Sequence, residues 1–242
     1  MRAVILAGGR GTRLRPFTTI FPKPLMPVGE MPVLEILLRQ LRSHGVTDVT
    51  LMTGHLAYLL EGYFGDGANL GLSIEYLHES EPLGTAGPLH GLQGRLHDDF
   101  FVMNGDLLTN LDFSGLMRRH KEDGCEVTVG VYSRAEKIEL GILRVDEHER
   151  VVGYEEKPTV LYDVSMGIYA MSPRILPRIP PGYYDMPNLI LDVLSGGRPV
   201  SCWRHEGRWL DIGRPDDYEN ANELIRREPD AFLAHPGKRE SA

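Results

Sequence analysis

The chain opens on an unbroken apolar run, Ala3-Val4-Ile5-Leu6-Ala7, as expected of a strand covered on both faces of a parallel sheet. Leu34, Leu37, Leu38 and Leu41 then recur at helical spacing, with Pro32 suited to the first helical position and Gly45 to the C-terminal cap. Residues 46–53 read as a second strand and residues 57–63 as a helix running into Gly65-Asp66-Gly67. Residues 72–78 alternate apolar and polar and read as a third strand. Phe100-Phe101-Val102-Met103 predicts another short buried strand. A helix follows, capped by Asp112, packed through Phe113, Leu116 and Met117, and closed by Gly124. The β-α-β-α-β order predicts an α/β protein with an open, mostly parallel sheet flanked by helices.

From Glu126 the rhythm changes to strands: residues 126–132, 140–145, 151–156 and 164–171, with 146–150 as a hairpin connection. Pro180-Pro181-Gly182 reads as a loop and residues 189–194 as a short helix before Gly196-Gly197. A last helix opens at Arg214-Pro215 with Asp216 and Asp217 in its first turn, where acids suit the dipole, and packs through Tyr218, Ala221 and Ile225. The second half is expected to extend the sheet and carry a smaller β layer. No linker separates the halves, so residues 1–228 are expected as one domain and 229–242 as a flexible tail.

The richest chemistry lies directly after the first strand. Gly8, Gly9 and Gly11 remove side chains that would block a ligand, and successive backbone N–H groups can cradle phosphate oxygens. Arg13 and Arg15 add forked cationic donors, and Lys23 stands in a return path stiffened by Pro16, Pro22, Pro24 and Pro27. Together these predict a triphosphate-binding loop. It is not a Walker A loop, because no glycine precedes Lys-Ser or Lys-Thr. It is not the dinucleotide fingerprint, because Leu14 stands at the third glycine. Further on, Asn104-Gly105-Asp106 puts a carboxylate at a strand's carboxyl end, the edge where open α/β sheets bind ligands. Asp112 already serves as the helix cap, which leaves Asp106 free.

Composition narrows the class. The 242 residues are 42% hydrophobic and 25% charged, ordinary for a globular protein. A formal net charge of −8 argues against general nucleic-acid binding, so the early Arg and Lys read as a focused anion site. Two cysteines, Cys125 and Cys202, form no metal-ligand pair and predict reduced thiols. With a strand beginning at the N-terminus and no long apolar run, the expectation is a cytoplasmic protein without membrane partners.

The ordered motifs Leu6-Ala7-Gly8-Gly9, Gly11-Thr12-Arg13-Leu14, Pro22-Lys23-Pro24-Leu25 and Pro27-Val28 resemble the signature of the sugar-1-phosphate nucleotidylyltransferases, most of all mannose-1-phosphate guanylyltransferase-like members. The resemblance extends to about Tyr218 and implies a Rossmann-like mixed sheet. Residues 1–124 would be the nucleotide-binding half, and residues 125–228 a β-rich sugar-binding half. It implies that Leu6, Ala7, Gly8, Gly9, Gly11, Thr12, Arg13 and Gly105 hold the nucleotide, and that the loop with Pro82, Gly84, Thr85 and Ala86 reads the base. A helix is expected to start near Thr85. It further implies Mg²⁺ held by Asp106 and by Asp211 of Trp209-Leu210-Asp211-Ile212-Gly213. Lys23, Gly141, Glu156, Lys157, Ser165 and Gly167 would hold the sugar phosphate, with the choice between Glu155 and Glu156 left open. Ser165 stands where many relatives carry Asn. Many relatives continue into a C-terminal β-helix, for which this chain leaves no length, so acyltransferase activity is not expected.

The expected reaction joins an NTP and a sugar 1-phosphate to give an NDP-sugar and pyrophosphate, with Arg13, Lys23, Asp106, Lys157 and Asp211 as the catalytic set. No Gln occurs between Glu79 and Gly91, where thymidylyltransferase relatives usually place one. Small residues there leave room for a purine. GTP is the favoured donor, giving a GDP-mannose-like or GDP-heptose-like product, with UTP or dTTP as alternatives. The sugar (hexose, heptose, longer sugar or cyclitol) and a homo-oligomeric state stay open. Two rivals remain on the same fold, a non-catalytic nucleotide-sugar sensor and a structural scaffold. Pyrophosphate release separates the enzyme from both.

Overall fold

In the computed structural model, which describes residues 1–233, strand β1 (Arg2–Ala7) is covered on both sides. Ala3, Ile5 and Ala7 face a core built with helices α1 (Val33–Ser43), α2 (Ala57–Phe64) and α3 (Phe113–Asp123). Val4 packs into a second core on the opposite face, with Leu89, Leu92, Ile175 and helix α4 (Met186–Ser195). Strands β2 (Asp48–Thr53), β3 (Ser73–His78) and β4 (Phe100–Asn104) join β1 in parallel in the order β4-β1-β2-β3. After the short β5 (Leu107–Thr109) and α3, two long strands extend the sheet. β6 (Val127–Lys137) and the later β9 (Thr159–Met171) pair with each other antiparallel.

The hairpin β7 (Ile142–Val145) and β8 (Val151–Glu155) stands between them as a separate two-stranded layer. β10 (Ser201–His205) lies on the outer edge of β6, completing a seven-stranded sheet of order β10-β6-β9-β4-β1-β2-β3. The short β11 (Trp209–Asp211) pairs antiparallel with β5, and α5 (Pro215–Arg227) follows. The expected mixed, mostly parallel α/β sheet is therefore present. So are the caps read from sequence: the Gly115 N–H donates to Asp112 Oδ1 at 2.9 Å, and Gly124 closes α3 in the left-handed region.

Two expectations change. The stretch after Thr85 forms a 3₁₀ turn over Gly87–Leu92 rather than an α-helix. Gly87, Pro88, Gly91 and Gly94 crowd it with weak helix formers. Pro229–Phe232, expected within a flexible tail, form a short helix, α6, and Phe232 is fully buried. The Gln40 side chain donates to the Phe232 carbonyl at 3.0 Å. Residues 234–242, the rest of that expected tail, lie outside the described residues. Phe232 belongs to a third core with Leu14, Val28, Ile36, Leu108, Ile212 and Ile225, which ties the early loop to α1 and α5. Among the described residues no helix is long and apolar enough to cross a membrane.

Candidate active site

The registers of the parallel strands bring one row of residues to the carboxyl edge of the sheet. Ala7 lies beside Thr53, Leu6 beside Asn104, and Thr53 beside His78. The next residues along those strands are Gly8, Gly54, Gly105 and Glu79. Three of the four lack a side chain, for visible reasons. A methyl on Gly54 would stand 3.0 Å from the Gly8 carbonyl oxygen. The Gly105 N–H donates to the Leu6 carbonyl at 3.0 Å, and a methyl there would press on Ile5 at 3.2 Å. The result is a bare backbone floor with a carboxylate at each end, Glu79 after β3 and Asp106 after β4.

The early loop rises from this floor. Leu14, fully buried, pins it from below. Gly11 takes a left-handed conformation, φ +59°, and its carbonyl accepts from the Thr18 hydroxyl at 2.7 Å. Leu6, Ala7, Gly9, Gly11, Thr12, Arg13 and Lys23 line an open pocket of about 230 Å³. Gly8, Gly9, Gly54, Glu79 and Pro82 line a neighbouring one of about 350 Å³.

Lys23 and two carboxylates converge beside the first pocket. β11 pairs with β5 so that Asp211 opposes Leu107, the neighbour of Asp106. The Lys23 ammonium contacts Asp106 Oδ2 and stands 3.6 Å from Asp211 Oδ1. Asp106 Oδ1 is buried without a hydrogen-bond partner. Burial, and then the charge of Asp106, push the Asp211 carboxyl above the usual carboxylate range, against the pull of Lys23 and Arg13.

On the far side of Asp211, a pocket of about 280 Å³ is lined by Thr85, Asn104, Ser165, Gly167, Met186 and Trp209, among others. A bulge in β9 between Ser165 and Tyr169 shapes it. Gly167 sits at φ +69°, and a methyl there would lie 2.6 Å from Asn104 Nδ2, so both backbone and space demand glycine. The Trp209 indole N–H donates to the Met166 carbonyl at 3.0 Å and holds the bulge against β11.

The loop expected to read the base is built differently from its sequence reading. Ala86 is fully buried, and its N–H donates to the Tyr184 carbonyl at 2.9 Å. A methyl on Gly84 would strike that carbonyl oxygen at 2.6 Å. These small residues are needed to seat the loop on residues 182–186, and Thr85 completes the seam, with Met186 N–H donating to its hydroxyl at 2.7 Å.

Gly141, Glu156 and Lys157 stand apart. They belong to the hairpin module and line none of the pockets that hold Arg13, Lys23 or Asp211. Tyr154 OH donates to Glu156 Oε2 at 2.6 Å, and both side chains press on Gly141. Glu155 faces Arg144 at 3.9 Å. Lys157 is a non-glycine residue at φ +45°, a strained conformation of the kind that clusters at ligand sites. Six residues of extended strand, Thr159 to Val164, roughly 20 Å at strand rise, lie between it and Ser165.

A family model described as "Nucleotidyl transferase" matches residues 2–228. The chain belongs to the nucleotidyl transferase family. It is 34% identical, over 93% of its length, to the mannose-1-phosphate guanylyltransferase of Mycobacterium tuberculosis, covering 64% of that protein. It is 33% identical, over 91% of its length, to the UTP–glucose-1-phosphate uridylyltransferase of Synechocystis, covering 62% of that one. The chain thus spans somewhat under two thirds of these curated relatives. The fold matches the crystal structure of HddC from Yersinia pseudotuberculosis with a TM-score of 0.73 at 24% identity, covering 93% of this chain and 99% of that one.

In this nucleotidyl transferase three residues of the cleft escaped the sequence reading. Asn104 reads in the sequence only as the lead-in to Asp106, yet it lines the Ser165 pocket. Asp185 accepts from the Thr85 N–H at 3.1 Å across 100 residues of chain, a contact with no local signal. Glu79 is half-buried over Gly8. An acid immediately after a parallel strand was the signal available for it.

Proposed function

We propose that this chain joins a nucleoside triphosphate, GTP in preference, to a sugar 1-phosphate, releasing pyrophosphate. The observation that carries this is the convergence of Lys23, Asp106 and Asp211 beside a glycine-floored, arginine-flanked pocket at the sheet's carboxyl edge. The guanylyltransferase relative supports the donor and mannose 1-phosphate as the default acceptor, and the uridylyltransferase relative makes UTP the competitor.

Asp106 and Asp211 fit a divalent cation. Asp106 Oδ1 is a buried acceptor without a hydrogen-bond partner. Among the described residues no group of three or more His, Cys, Asp or Glu side chains is arranged for a metal. A pair of carboxylates suits Mg²⁺, which is held by one or two of them together with phosphate oxygens and water. When bound, Mg²⁺ supplies charge stabilisation to the reacting phosphates.

The chain's own residues do the positioning. Backbone N–H groups from Gly8 to Thr12 cradle the β- and γ-phosphates, and Arg13 neutralises them. Lys23 holds the α-phosphate and the incoming sugar phosphate together against their repulsion. A sugar phosphate oxygen bonds to the α-phosphorus as the bond to the bridging oxygen breaks, and the electron pair leaves on pyrophosphate. The acceptor is already an anion near neutral pH, so no nucleophilic side chain or strong base is required. Ser165, Gly167 and Asn104 orient the sugar, and Glu156, Gly141 and Lys157, which line none of the cleft pockets in this structure, reach the sugar phosphate only when the hairpin that carries them folds over the cleft. Reduced cysteines, one buried and one exposed, suit a cytoplasmic setting.

Two outcomes follow. Lys157→Ala raises KM for the sugar phosphate at least ~10-fold, the worth of a charged hydrogen bond, and leaves KM for the NTP nearly unchanged. Arg13→Ala does the reverse. Initial-rate kinetics varying each substrate in turn checks both, and a Lys157→Ala effect confined to the NTP contradicts the division of the site. In a competition at equal concentrations GTP gives the highest kcat/KM, and a higher value for UTP or dTTP overturns the base assignment while leaving the transferase assignment standing.

A further inference from the structure

Arg13 faces two cavities. It lines the glycine-floored pocket of the early loop and also a larger one of about 550 Å³ that the mechanism above leaves unused. Arg134 from β6, Asp211 from β11, and Arg214 and Asp217 at the start of α5 line the larger cavity. The rings of Tyr132 and Trp209, with centroids 5.5 Å apart, form its apolar side. Arg13 reaches it across Gly213: the place a methyl would take there is 3.7 Å from Arg13 Nη1 and 3.5 Å from Asp217 Oδ2.

Three arginines from three separate segments therefore meet around one cavity. The charge of Arg13 is shared with Asp217 and with Asp211. Arg134 contacts Glu136 on its own strand, an exposed pair of the kind that contributes little and exchanges readily. Arg214 is exposed and has no ion-pair partner among the described residues. Gathering like charges costs energy, and a further anion offsets it. A multiply charged anion with oxygens at both ends suits forked guanidinium groups set on different sides of a cavity.

The position selects the anion. The cavity shares Asp211 and Trp209 with the Ser165 pocket, but their other walls come from opposite faces of the sheet. Tyr132 packs on the core of the α1, α2 and α3 face, and Tyr169 belongs to the core of the other. In-line transfer sets the attacking and leaving oxygens on opposite sides of the α-phosphorus. A sugar phosphate entering from the Ser165 pocket drives the leaving group away from that pocket, toward Arg13 and the cavity beyond it.

We propose that this cavity is a departure site for inorganic pyrophosphate, held by Arg214 and Arg134 after Arg13 carries it out of the early loop. This rests on the nucleotidyl-transfer reading and goes beyond it, because neither arginine binds a substrate in that reading. No covalent bond forms or breaks in the cavity. The site draws the product out of the line from which it would attack the NDP-sugar, and a pyrophosphate held there competes with the NTP for Arg13.

The test compares the parent, Arg214→Gln and the double variant Arg134→Gln/Arg214→Gln. Inorganic pyrophosphate is titrated calorimetrically with Mg²⁺ present, and its inhibition of the forward reaction is measured at varied NTP. In Arg214→Gln, Kd and the inhibition constant for pyrophosphate are expected to rise ~10-fold, the low end for a charged hydrogen bond. They rise further in the double variant, while KM for the NTP and for the sugar phosphate stays nearly unchanged. Pyrophosphate affinity unchanged in both variants overturns the departure site and leaves the transfer reading standing. An equal loss of NTP affinity also overturns it, because the arginines then serve the bound triphosphate. A KM rise confined to the sugar phosphate overturns it by placing an anionic group of the acceptor in the cavity. A parent that forms no pyrophosphate overturns the transfer reading, and this site with it. Thermal melting equal to the parent's shows that both exposed substitutions leave the fold intact.

Discussion

Asp106→Asn is expected to lower kcat at least ~10²-fold, as when a charge-stabilising element leaves an active site. The reason is specific to this position. Oδ1 of Asp106 is buried with no partner, an acceptor left over for a ligand, while Oδ2 faces the Lys23 ammonium. Asp211→Asn should lose activity comparably, and it carries a second signature. Burial and the charge of Asp106 raise the Asp211 carboxyl above its unfolded value. A group raised on folding favours the fold at pH below its unfolded value, and loses that contribution as pH climbs through the folded one. Where Asp211 is ionised its charge therefore opposes folding in the metal-free protein, and the neutral amide removes the opposition. Asp211→Asn should melt at a higher temperature than the parent without Mg²⁺ and gain less from its addition. Near-parent turnover in Asp106→Asn with unchanged Mg²⁺ dependence contradicts the metal assignment.

Lys23→Ala should cost both activity and stability, unlike the carboxylate variants. Lys23 is only 13% exposed at its side chain and serves two carboxylates at once. Removing it leaves Asp106 and Asp211 facing each other in a partly dry site, at a cost of about 1–3 kcal/mol for the stranded charge. The same loss removes the cation between two anionic reactants, so kcat should fall ~10²-fold or more. Denaturant melts and steady-state kinetics read the two effects separately. Added Mg²⁺ should restore part of the stability but little of the activity, because the cation replaces the counter-charge and not the ammonium's reach. A Lys23→Ala protein as stable and as active as the parent contradicts the shared-counter-ion reading.

What the sequence made legible was local. The apolar run of β1 running into three glycines, and the Asp112 and Gly124 caps of α3, are each encoded within a dozen residues, and each appears as read. The contents of the cleft were legible only where one segment carried several groups, as the early loop does. Contacts made across the fold left no trace. Gly84, Thr85 and Ala86 looked like room for a base, yet their smallness answers to Tyr184 and Asp185, about a hundred residues away. The length of β9 was hidden because Leu161 and Tyr162 are exposed and the strand exists through pairing with β6. Glu79 drew no reading from the sequence, because the glycines beneath it come from two other strands. Pro229–Phe232 looked like fraying chain because a four-residue helix shows no period, and what holds it is the burial of Phe232.

Pyrophosphate release, measured on a matrix of GTP, UTP, dTTP and ATP against several sugar 1-phosphates in the presence of Mg²⁺, bears most directly on the claim that this cleft transfers a nucleotidyl group. The account predicts pyrophosphate in amounts matched by NDP-sugar, strongest in the GTP column, absent when the sugar lacks its 1-phosphate, and abolished in Asp106→Asn. Binding of nucleotide and sugar phosphate with no pyrophosphate from any pair would contradict it, and would leave the protein a sensor on a transferase fold.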